Sequence, residues 1–350
     1  MEGRKRSSIF MAVALLLFQV ANGSPLVSNT GRVVRTIKGE VGDVIDCVDI
    51  YSQPAFGHPL LKYHKLEMRP RGIPKGMERR EPSRKSLLGR TRLAKSGGCP
   101  NGTVPILRTA PCDPKGISRP SAYPTAAAVT PNNDQPTHEF VLLQSAFGQG
   151  YGVFGAVADL SVWEPQVAAV PGEFSAVKVA LYTGPDAGTV SESIEAGWIG
   201  GNGQACFNTM CPGFVQTSQT VMLGQEEDGN WWVHADDEAV GYWPGLLFTG
   251  LSWWANGTMM GGEVYDTFAG GQHTTTQMGN GLFPIESKTD YRKAACIWRP
   301  SYMDSDGHVR LLQDPVSILV TSPSCYDERQ YRLDEYNLCF GGPGLSSACP

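Results

Sequence analysis

The sequence has little charge, and it lacks the motifs of several common enzyme classes. Only 18% of its 350 residues are charged. It contains no Gly-x-Ser-x-Gly turn, no His-Glu-x-x-His helix and no glycine-rich phosphate loop. Serine-hydrolase, zinc-protease and nucleotide chemistry therefore have no starting point in this chain. No Cys-x-x-Cys pair occurs and the six histidines are scattered singly, so we expect no metal site and no cofactor.

Long hydrophobic runs are also missing. The apolar run Ile9–Val20 is shorter than the roughly 20 residues that span a membrane. It follows a basic stretch at residues 4–6 and precedes the small residues Ala21 and Gly23, a pattern that is typical of a secretory signal peptide. We therefore expect residues 1–23 to be a signal peptide and the mature protein to be secreted to the extracellular space. We expect no nucleic-acid partner and, once the signal is removed, no membrane partner.

Turn formers and aromatic residues are abundant. The chain contains 41 Gly, 25 Pro, 12 Tyr and 8 Trp, and this composition favours many short strands joined by tight turns. Beyond residue 137, a two-residue periodicity interrupted by turn residues predicts about ten strands. The predicted strands are His138–Phe147, Tyr151–Trp163, Phe174–Tyr182, Ser191–Ile199, Gly213–Leu223, Trp231–Ala235, Leu246–Ala255, Thr258–Asp266, Ala294–Arg299 and Ser317–Thr321. They predict an all-β fold, an antiparallel β-sandwich that is jelly-roll-like.

Charge divides the chain into two parts of opposite sign. Residues 24–137 carry 18 basic and nine acidic residues, whereas residues 138–350 carry eight basic and 24 acidic residues. This division favours electrostatic docking of the first part on the second. The basic stretch Lys62–Lys95 is equally compatible with a solvated linker, or with a processing-protease site at Arg79-Arg80. The stretch Pro111–Pro136 is rich in Pro, Ala, Ser, Thr and Asn, so it predicts a flexible junction and the domain boundary.

Cysteines and sequons fit a secreted protein. Nine cysteines suit an oxidising compartment. Their odd number means that one thiol is free, intermolecular or lost with a removed segment. Asn101 and Asn256 each begin an Asn-Gly-Thr sequon, which in a secreted protein predicts a glycosylated, exposed turn.

Carboxylates are the remaining candidates for chemistry, and two of them lie among small residues. Glu195 is followed by Ala196-Gly197, and Glu263 follows Gly261-Gly262. Small neighbours on a strand leave room above a carboxylate for a ligand. If both side chains face one cleft, repulsion and burial would make them share one proton at acidic pH. One Glu can then activate water while the other donates a proton, and we assign Glu195 as the base and Glu263 as the donor.

A series of motifs resembles the neprosin family of plant proteins. The first part resembles the activation peptide of that family in Asp46–Lys62, Met68–Pro70 and Cys99–Arg108. The second part resembles the neprosin domain in Ile194–Trp198, Cys206–Ser218, Gly241–Pro244, Gly261–Val264, His273–Gly279 and Phe340–Gly344. These motifs follow one another in the family's order over nearly the whole chain after the signal.

The resemblance implies a function and a domain order. Residues 24–136 would be an activation propeptide with its linker, and residues 137–350 a catalytic β-sandwich related to glutamic peptidases. Glu195 and Glu263 would be the catalytic pair, cleaving proteins next to proline at acidic pH. The partners implied are proline-containing polypeptides and the propeptide, which would inhibit the enzyme until acidification removes it. The family's disulfides would pair Cys206 with Cys211 and Cys325 with Cys349, leaving Cys47, Cys99, Cys112, Cys296 and Cys339 unassigned.

Three further residues are candidates for substrate binding. We expect Trp198 and Tyr265, which are close to the glutamates in sequence, to line a groove. Gln277 and the nearby His273 lie in a Thr-rich loop, where they either orient substrate or serve as structural polar residues with satisfied hydrogen bonds.

One departure from the family keeps two other functions open. The family has a longer segment before the Asn-Trp-Trp motif, whereas this chain has only Gly224–Gly229. Loss of a hairpin would remove part of a sheet or one wall of the cleft. The protein could then be an inactive, secreted carbohydrate- or wall-binding module. Two carboxylates on a β-sandwich with nearby aromatic residues would also suit a glycoside hydrolase.

Overall fold

A computed structural model describes the chain from residue 31 onward, with gaps. The described residues are 31–38, 44–70, 98–108, 137–147, 152–184, 190–201, 215–216, 224–225, 229–235, 238–284, 294–313, 316–331 and 336–350. The predicted signal peptide, the junction Pro111–Pro136 and most of the basic stretch lie outside the described residues. Within these ranges, no helix is both long enough and apolar enough to span a membrane.

The described residues are mostly in strands, as the composition predicts. The strands are β1 Val33–Lys38, β2 Val44–Asp49, β3 Thr103–Leu107, β4 Thr137–Ala146, β5 Gly155–Leu160, β6 Phe174–Thr183, β7 Glu192–Gly201, β8 Val215–Gln216, β9 Gly224–Gln225, β10 Trp231–Ala235, β11 Glu238–Trp243, β12 Gly257–Asp266, β13 Ala295–Met303, β14 Val309–Leu311, β15 Val316–Val320, β16 Asp327–Tyr331 and β17 Asn337–Gly341. Short 3-10 helices lie at Ile50–Ser52, Pro54–Gly57, Pro59–Leu61 and Gly245–Leu247. The prediction of an all-β protein is confirmed.

Antiparallel pairing arranges the described strands in four sheets. The large sheet has the order β15-β4-β12-β6-β7. A second sheet has the order β14-β13-β17-β16, with β5 also paired to β13. The other two are the sheet β8-β11-β10-β9 and the N-terminal sheet β1-β2-β3.

The main hydrophobic core lies between one face of the large sheet and the sheets that contain β13 and β10. Alternate residues of a strand share a face, and on β6 these are Val177, Val179 and Leu181. They belong to one buried cluster with Phe340 from β17 and Trp231 from β10. Full burial of each such side chain contributes about 1.5–3 kcal/mol. The large sheet therefore has one face committed to the core, which leaves its other face for the candidate site.

The described residues 31–38, 44–70 and 98–108 form the N-terminal part, and its segment 55–67 packs on the hairpin formed by β10 and β11. Ala55 and Leu61 are buried in a cluster with Trp232 and Tyr242. The Tyr242 hydroxyl accepts a hydrogen bond from the backbone N–H of Glu67 at 2.9 Å and lies 2.8 Å from His64 Nε2. These contacts are apolar with added hydrogen bonds. Electrostatic docking stays a prediction, because most of the basic stretch lies outside the described residues.

The predicted strands agree with the structure where alternation is regular and fail where side chains reorganise the backbone. Trp231–Ala235 is matched residue for residue. Leu246–Ala255 is wrong, because the carboxylate of Glu192 accepts hydrogen bonds from the backbone N–H groups of residues 249–251 and holds them in a turn. Much of Gly213–Leu223 lies outside the described residues.

Disulfides join distant segments in both parts of the chain. The predicted pairing of Cys325 with Cys349 is confirmed. Two further disulfides, Cys47–Cys99 and Cys296–Cys339, account for cysteines that the resemblance left unassigned. Cys112 and the predicted pair Cys206–Cys211 lie outside the described residues.

Candidate active site

Strand register brings Glu195 and Glu263 to the same face of the large sheet. Glu263 on β12 lies opposite Ala176 on β6, and Glu195 on β7 lies opposite Ala180. Positions 176, 178 and 180 of β6 share one face, because side chains alternate along a strand. Lys178 is therefore placed between the two glutamates, on the face opposite the main core.

The ammonium group of Lys178 bridges the two carboxylates. Its Nζ lies 2.9 Å from Glu195 Oε2 and 2.5 Å from Glu263 Oε2. These distances make both contacts charge-assisted hydrogen bonds whenever the partner oxygen is ionised. All three side chains are buried, with relative exposures of 0% for Lys178 and Glu195 and 4% for Glu263. The two carboxylates thus meet through a lysine.

Glycines on both sides of Lys178 make room for this arrangement. Lys178 pairs in register with Gly261 on β12 and with Gly197 on β7. A Cβ on Gly197 would lie 1.8 Å from the carbonyl oxygen of Val177, and one on Gly261 would lie 1.9 Å from that of Val141. Only glycine fits at either position. The space that the sequence analysis assigned to a ligand is flanked by these glycines and contains Lys178.

His138 completes the contacts of Glu263. Its Nδ1 lies 2.5 Å from Glu263 Oε1, so each oxygen of Glu263 has a nitrogen partner. The ring of His138 packs 4.6 Å from that of Tyr265 and 5.9 Å from that of Phe174. The neighbouring side chains on this face, among them Phe140 and Met259, are apolar and buried. The charges of the site therefore lie in surroundings of low polarity.

Burial and neighbouring charge drive the pKa values of the two glutamates apart. Burial raises the pKa of Glu195 well above its ordinary value of 4.5, and the charge of Glu263 raises it further. Burial alone would also raise the pKa of Glu263, but Lys178 and His138 outweigh it and lower this pKa to about 2. Burial lowers the pKa of Lys178, and the attraction of Glu263 opposes that change.

This electrostatic order favours the opposite of the roles assigned from sequence. At acidic pH above about 2, Glu263 is ionised and can take a proton, while Glu195 keeps its proton and can donate it. Because Lys178 donates to Glu195 Oε2, the proton of Glu195 belongs on Oε1, which lies 3.4 Å from the hydroxyl of Ser193. The arrangement can therefore serve general acid–base chemistry with Glu263 as the base.

The predicted substrate-binding residues lie in three different places. Tyr265 shares the site face, since it is two residues from Glu263 and its ring contacts His138. Trp198 faces the other way, is buried in the main core and donates from Nε1 to the carbonyl oxygen of Ser161, so the prediction that it lines the groove is corrected. Gln277 accepts a hydrogen bond from the backbone N–H of Gln166 at 3.0 Å. This contact favours a structural role for Gln277 over substrate binding.

A second buried polar cluster lies at the ends of β4 and β12, on the core side. His273 Nε2 is 3.0 Å from Glu139 Oε2 and 3.9 Å from Asp266 Oδ2. Glu173 accepts hydrogen bonds from the hydroxyls of Thr274 and Thr276 in the same loop. His273 therefore belongs to a hydrogen-bonded network that holds the Thr-rich loop against the sheet. Of the two roles considered for His273, the structure favours that of a structural polar residue.

The two predicted glycosylation sites differ in their surroundings. Asn101 is exposed in a turn, as a glycan acceptor requires. The amide of Asn256, in contrast, accepts a hydrogen bond from the backbone N–H of Gly184 and donates one to its carbonyl oxygen, at 3.1 and 3.0 Å. Thr258 of the same sequon is fully buried. A glycan on Asn256 would have to disrupt these contacts, so the fold favours Asn101.

Two family models match the chain in the order that its two parts have here. The Neprosin activation peptide matches residues 36–140, and Neprosin matches residues 198–228 and 225–343. The chain belongs to the neprosin family. Membership in this family together with an activation peptide indicates a protease made as a zymogen. The Neprosin match includes Glu263 but begins just after Glu195, and its two pieces overlap within the shortened segment Gly224–Gly229.

Sequence reasoning missed two members of the site, Lys178 and His138. Lys178 is the single charged residue in the strand Phe174–Thr183, which is otherwise buried and mostly apolar. A lysine in such a run is a recognisable signal, because lysine is almost never fully buried unless it is paired. His138 gave no comparable signal, since one histidine at the start of a strand is common on a protein surface.

Proposed function

We propose that this neprosin-family protein is a secreted glutamic endopeptidase, made as a zymogen, that cleaves polypeptides next to proline at acidic pH. Support comes from one observation above all: Glu195 and Glu263 share a sheet face and both contact Lys178 Nζ. Their pKa values are displaced in opposite directions, as a proton donor and a base at the same pH require. The preference for proline and the acidic range come from the family resemblance.

In the proposed reaction, each glutamate handles one proton. The carboxylate of Glu263 takes a proton from a water molecule while the water oxygen bonds to the scissile carbonyl carbon. Glu195 gives its proton to the carbonyl oxygen, which neutralises the developing negative charge. Collapse of the tetrahedral intermediate breaks the C–N bond, and the leaving nitrogen takes the proton that Glu263 received. Glu263 is then back in its ionised form. Glu195 regains its proton from one hydroxyl of the intermediate as that oxygen becomes the carbonyl oxygen of the new carboxyl group.

Burial of the pair fits a zymogen. With Glu195 fully buried and Glu263 nearly so, a polypeptide cannot reach the carboxylates in the conformation described. Activation must therefore open this face of the sheet. The packing of the N-terminal part against Trp232 and Tyr242 supports a propeptide that contacts the catalytic domain at this hairpin.

The test is cleavage of a proline-containing peptide by the purified, acidified full chain. We expect wild type to cleave it and both Glu195→Gln and Glu263→Gln to lose at least about 100-fold in rate, because each substitution removes one proton-transfer group. Glu164→Gln is the matched control, since Glu164 is exposed and lies outside the site. Equal rates for Glu263→Gln and Glu164→Gln would refute the proposal.

A second candidate function is that of an inactive secreted module that binds carbohydrate. It is favoured by two exposed aromatic residues, Trp253 at 70% and Trp254 at 44% relative exposure, which offer faces for stacking on sugars. In the same assay this function would give no cleavage by wild type and retention on a polysaccharide that Trp253→Ala abolishes. The glycoside hydrolase is less well supported, because the two family models that match the chain indicate a protease.

A further inference from the structure

The site differs from a simple pair of carboxyl groups through a buried cation placed between them. Lys178 is fully buried, and its Nζ contacts both Glu195 and Glu263. Burying an ammonium group costs free energy unless the group is paired with an opposite charge. The two carboxylates therefore stabilise the buried lysine, and the lysine fixes the positions of the carboxylates. We propose that Lys178 is a positioning residue that selects Glu263 as the ionised partner and shifts the working range of the enzyme to lower pH. This inference rests on the proposed function.

The geometry explains the selection between the two glutamates. Nζ is closer to Glu263, at 2.5 Å, than to Glu195, at 2.9 Å. Glu263 has a second nitrogen partner in His138, whereas among the described residues the partner of the other oxygen of Glu195 is the more distant hydroxyl of Ser193. One negative charge is therefore stabilised better on Glu263. The proton that the pair retains at acidic pH belongs on Glu195.

The titratable groups around Lys178 come from three strands. Glu195 faces it from β7 and Glu263 from β12, and His138 on β4 acts on it through Glu263. Tyr265 follows on β12 beside His138, and burial together with acidic neighbours raises its pKa, so it stays neutral at acidic pH. The ring of Phe140 lies 5.4 Å from Nζ and adds a cation–π contact.

The direction of the pH effect follows from the sign of the charge. A positive charge between two carboxyl groups lowers the proton affinity of both, and it acts most on the nearer one. With Lys178 the base remains ionised in strongly acidic solution. Without it, burial and mutual repulsion would raise the pKa of Glu263, so that this residue would be protonated and unable to act as a base at low pH.

The experiment compares the pH dependence of peptide cleavage in wild type, Lys178→Met and Lys178→Arg. We expect Lys178→Met to move the acidic limb of the profile upward by at least about one pH unit, and to lower the rate near pH 3 at least about tenfold more than the rate near pH 6. Lys178→Arg keeps the charge and should restore the acidic limb. Arg310→Met is the control for net charge, because this arginine is exposed in a surface ion pair.

A second readout does not depend on cleavage. Carbon-13 labelling of the glutamate carboxyl groups allows Glu195 and Glu263 to be titrated by NMR in the full chain, each assigned with its Gln variant. In wild type we expect the Glu263 carboxyl to titrate far below that of Glu195, and in Lys178→Met to move up by at least about one unit. Unchanged titration in a folded Lys178→Met protein would overturn the inference. The expected titration in a wild type without cleavage would refute the proposed function, and only the selection of Glu263 as the ionised partner would remain.

Discussion

The site requires glycine at position 197, because a side chain there would collide with the neighbouring strand. Lys178 is paired with Gly197 on β7 and with Gly261 on β12. At either position the Cβ of any other residue would collide with the backbone of the neighbouring strand. Both positions also flank the glutamates in sequence. The glycines that mark Glu195 and Glu263 in the sequence are thus required by close packing around the lysine.

Substitution of Gly197 by Ala should therefore destabilise the protein. The added Cβ would lie 1.8 Å from the carbonyl oxygen of Val177, so the strands would have to separate at the centre of the sheet. We expect a loss of about 2–4 kcal/mol in the free energy of unfolding, measured with a chemical denaturant. Gly200→Ala on the same strand is the control, because its Cβ would first meet a side-chain atom of Pro165 at 3.3 Å. Equal losses for both variants would contradict this account.

Some features of individual site residues could be predicted from the sequence, and others could not. The two glutamates were predicted together because small residues surround them and because the family resemblance selects them. Their roles were not predictable, because the difference between them arises from Lys178 and His138, which are distant in sequence from both. The direction in which Trp198 points was in principle available, since it lies an odd number of positions from Glu195 on one strand.

At the scale of elements, the hairpin of β10 and β11 joins the two parts of the chain. Trp231 packs into the main core, and Trp232, one position later, packs against the N-terminal part. Adjacent residues of a strand face opposite ways, so both faces of the hairpin are covered in the proenzyme. Alternation along a strand is enough to place one tryptophan of the pair on each face of the hairpin. It could not show that one of these faces is covered by the propeptide.

Tyr242→Phe should weaken the docking of the propeptide without disturbing the hairpin core. The substitution removes a hydroxyl that contacts His64 Nε2 and the backbone N–H of Glu67. A net contribution of about 0.5–1.5 kcal/mol per hydrogen bond predicts a several-fold faster conversion of proenzyme to mature enzyme at a given acidic pH, followed by gel electrophoresis. Tyr63→Phe is the control, because Tyr63 is 85% exposed. If Tyr242→Phe is converted no faster than this control, the hydrogen bonds of Tyr242 do not hold the propeptide on the hairpin.

Strand prediction succeeded wherever alternation is regular and failed where a polar side chain decides the backbone. Phe174–Thr183 and Gly257–Asp266 are central, paired on both sides, and were predicted to within one residue at each end. The failed strand at Leu246–Ala255 is held in a turn by Glu192, which is far away in sequence. The edge strand β16 lacks the apolar alternation that predicts a strand, and β14 is only three residues long.

At the scale of the whole molecule, the cluster around His273 ties stability to pH. Burial lowers the pKa of His273, but the hydrogen bond and charge of Glu139, with Asp266 nearby, outweigh it and raise this pKa above the ordinary value of 6.5. A raised pKa in the folded state means that the contribution to stability is fully present below pH 6.5. It is lost as the pH rises through the folded-state value. The cluster therefore favours the folded protein in the acidic range where the enzyme is proposed to act.

His273→Gln should accordingly cost more stability in acid than in alkali. We expect a loss of about 1–3 kcal/mol near pH 5.5, where Glu139 and Asp266 would face each other without the imidazolium, and a smaller loss near pH 8. Chemical denaturation at both pH values measures the difference. His308→Gln is the control, because His308 is about half exposed in a surface turn. A loss that is independent of pH would show that the charge of His273 has no part in stability.

The hairpin has a consequence for how the two forms of the protein behave in solution. In the described structure, which includes the N-terminal part, the rings of Trp232 and Tyr242 are fully buried. If activation removes this part, as proposed, these aromatic rings would become an exposed apolar patch at the surface of the mature enzyme. We therefore expect the mature enzyme to self-associate more readily than the proenzyme, which sedimentation of the two forms at equal concentration would measure.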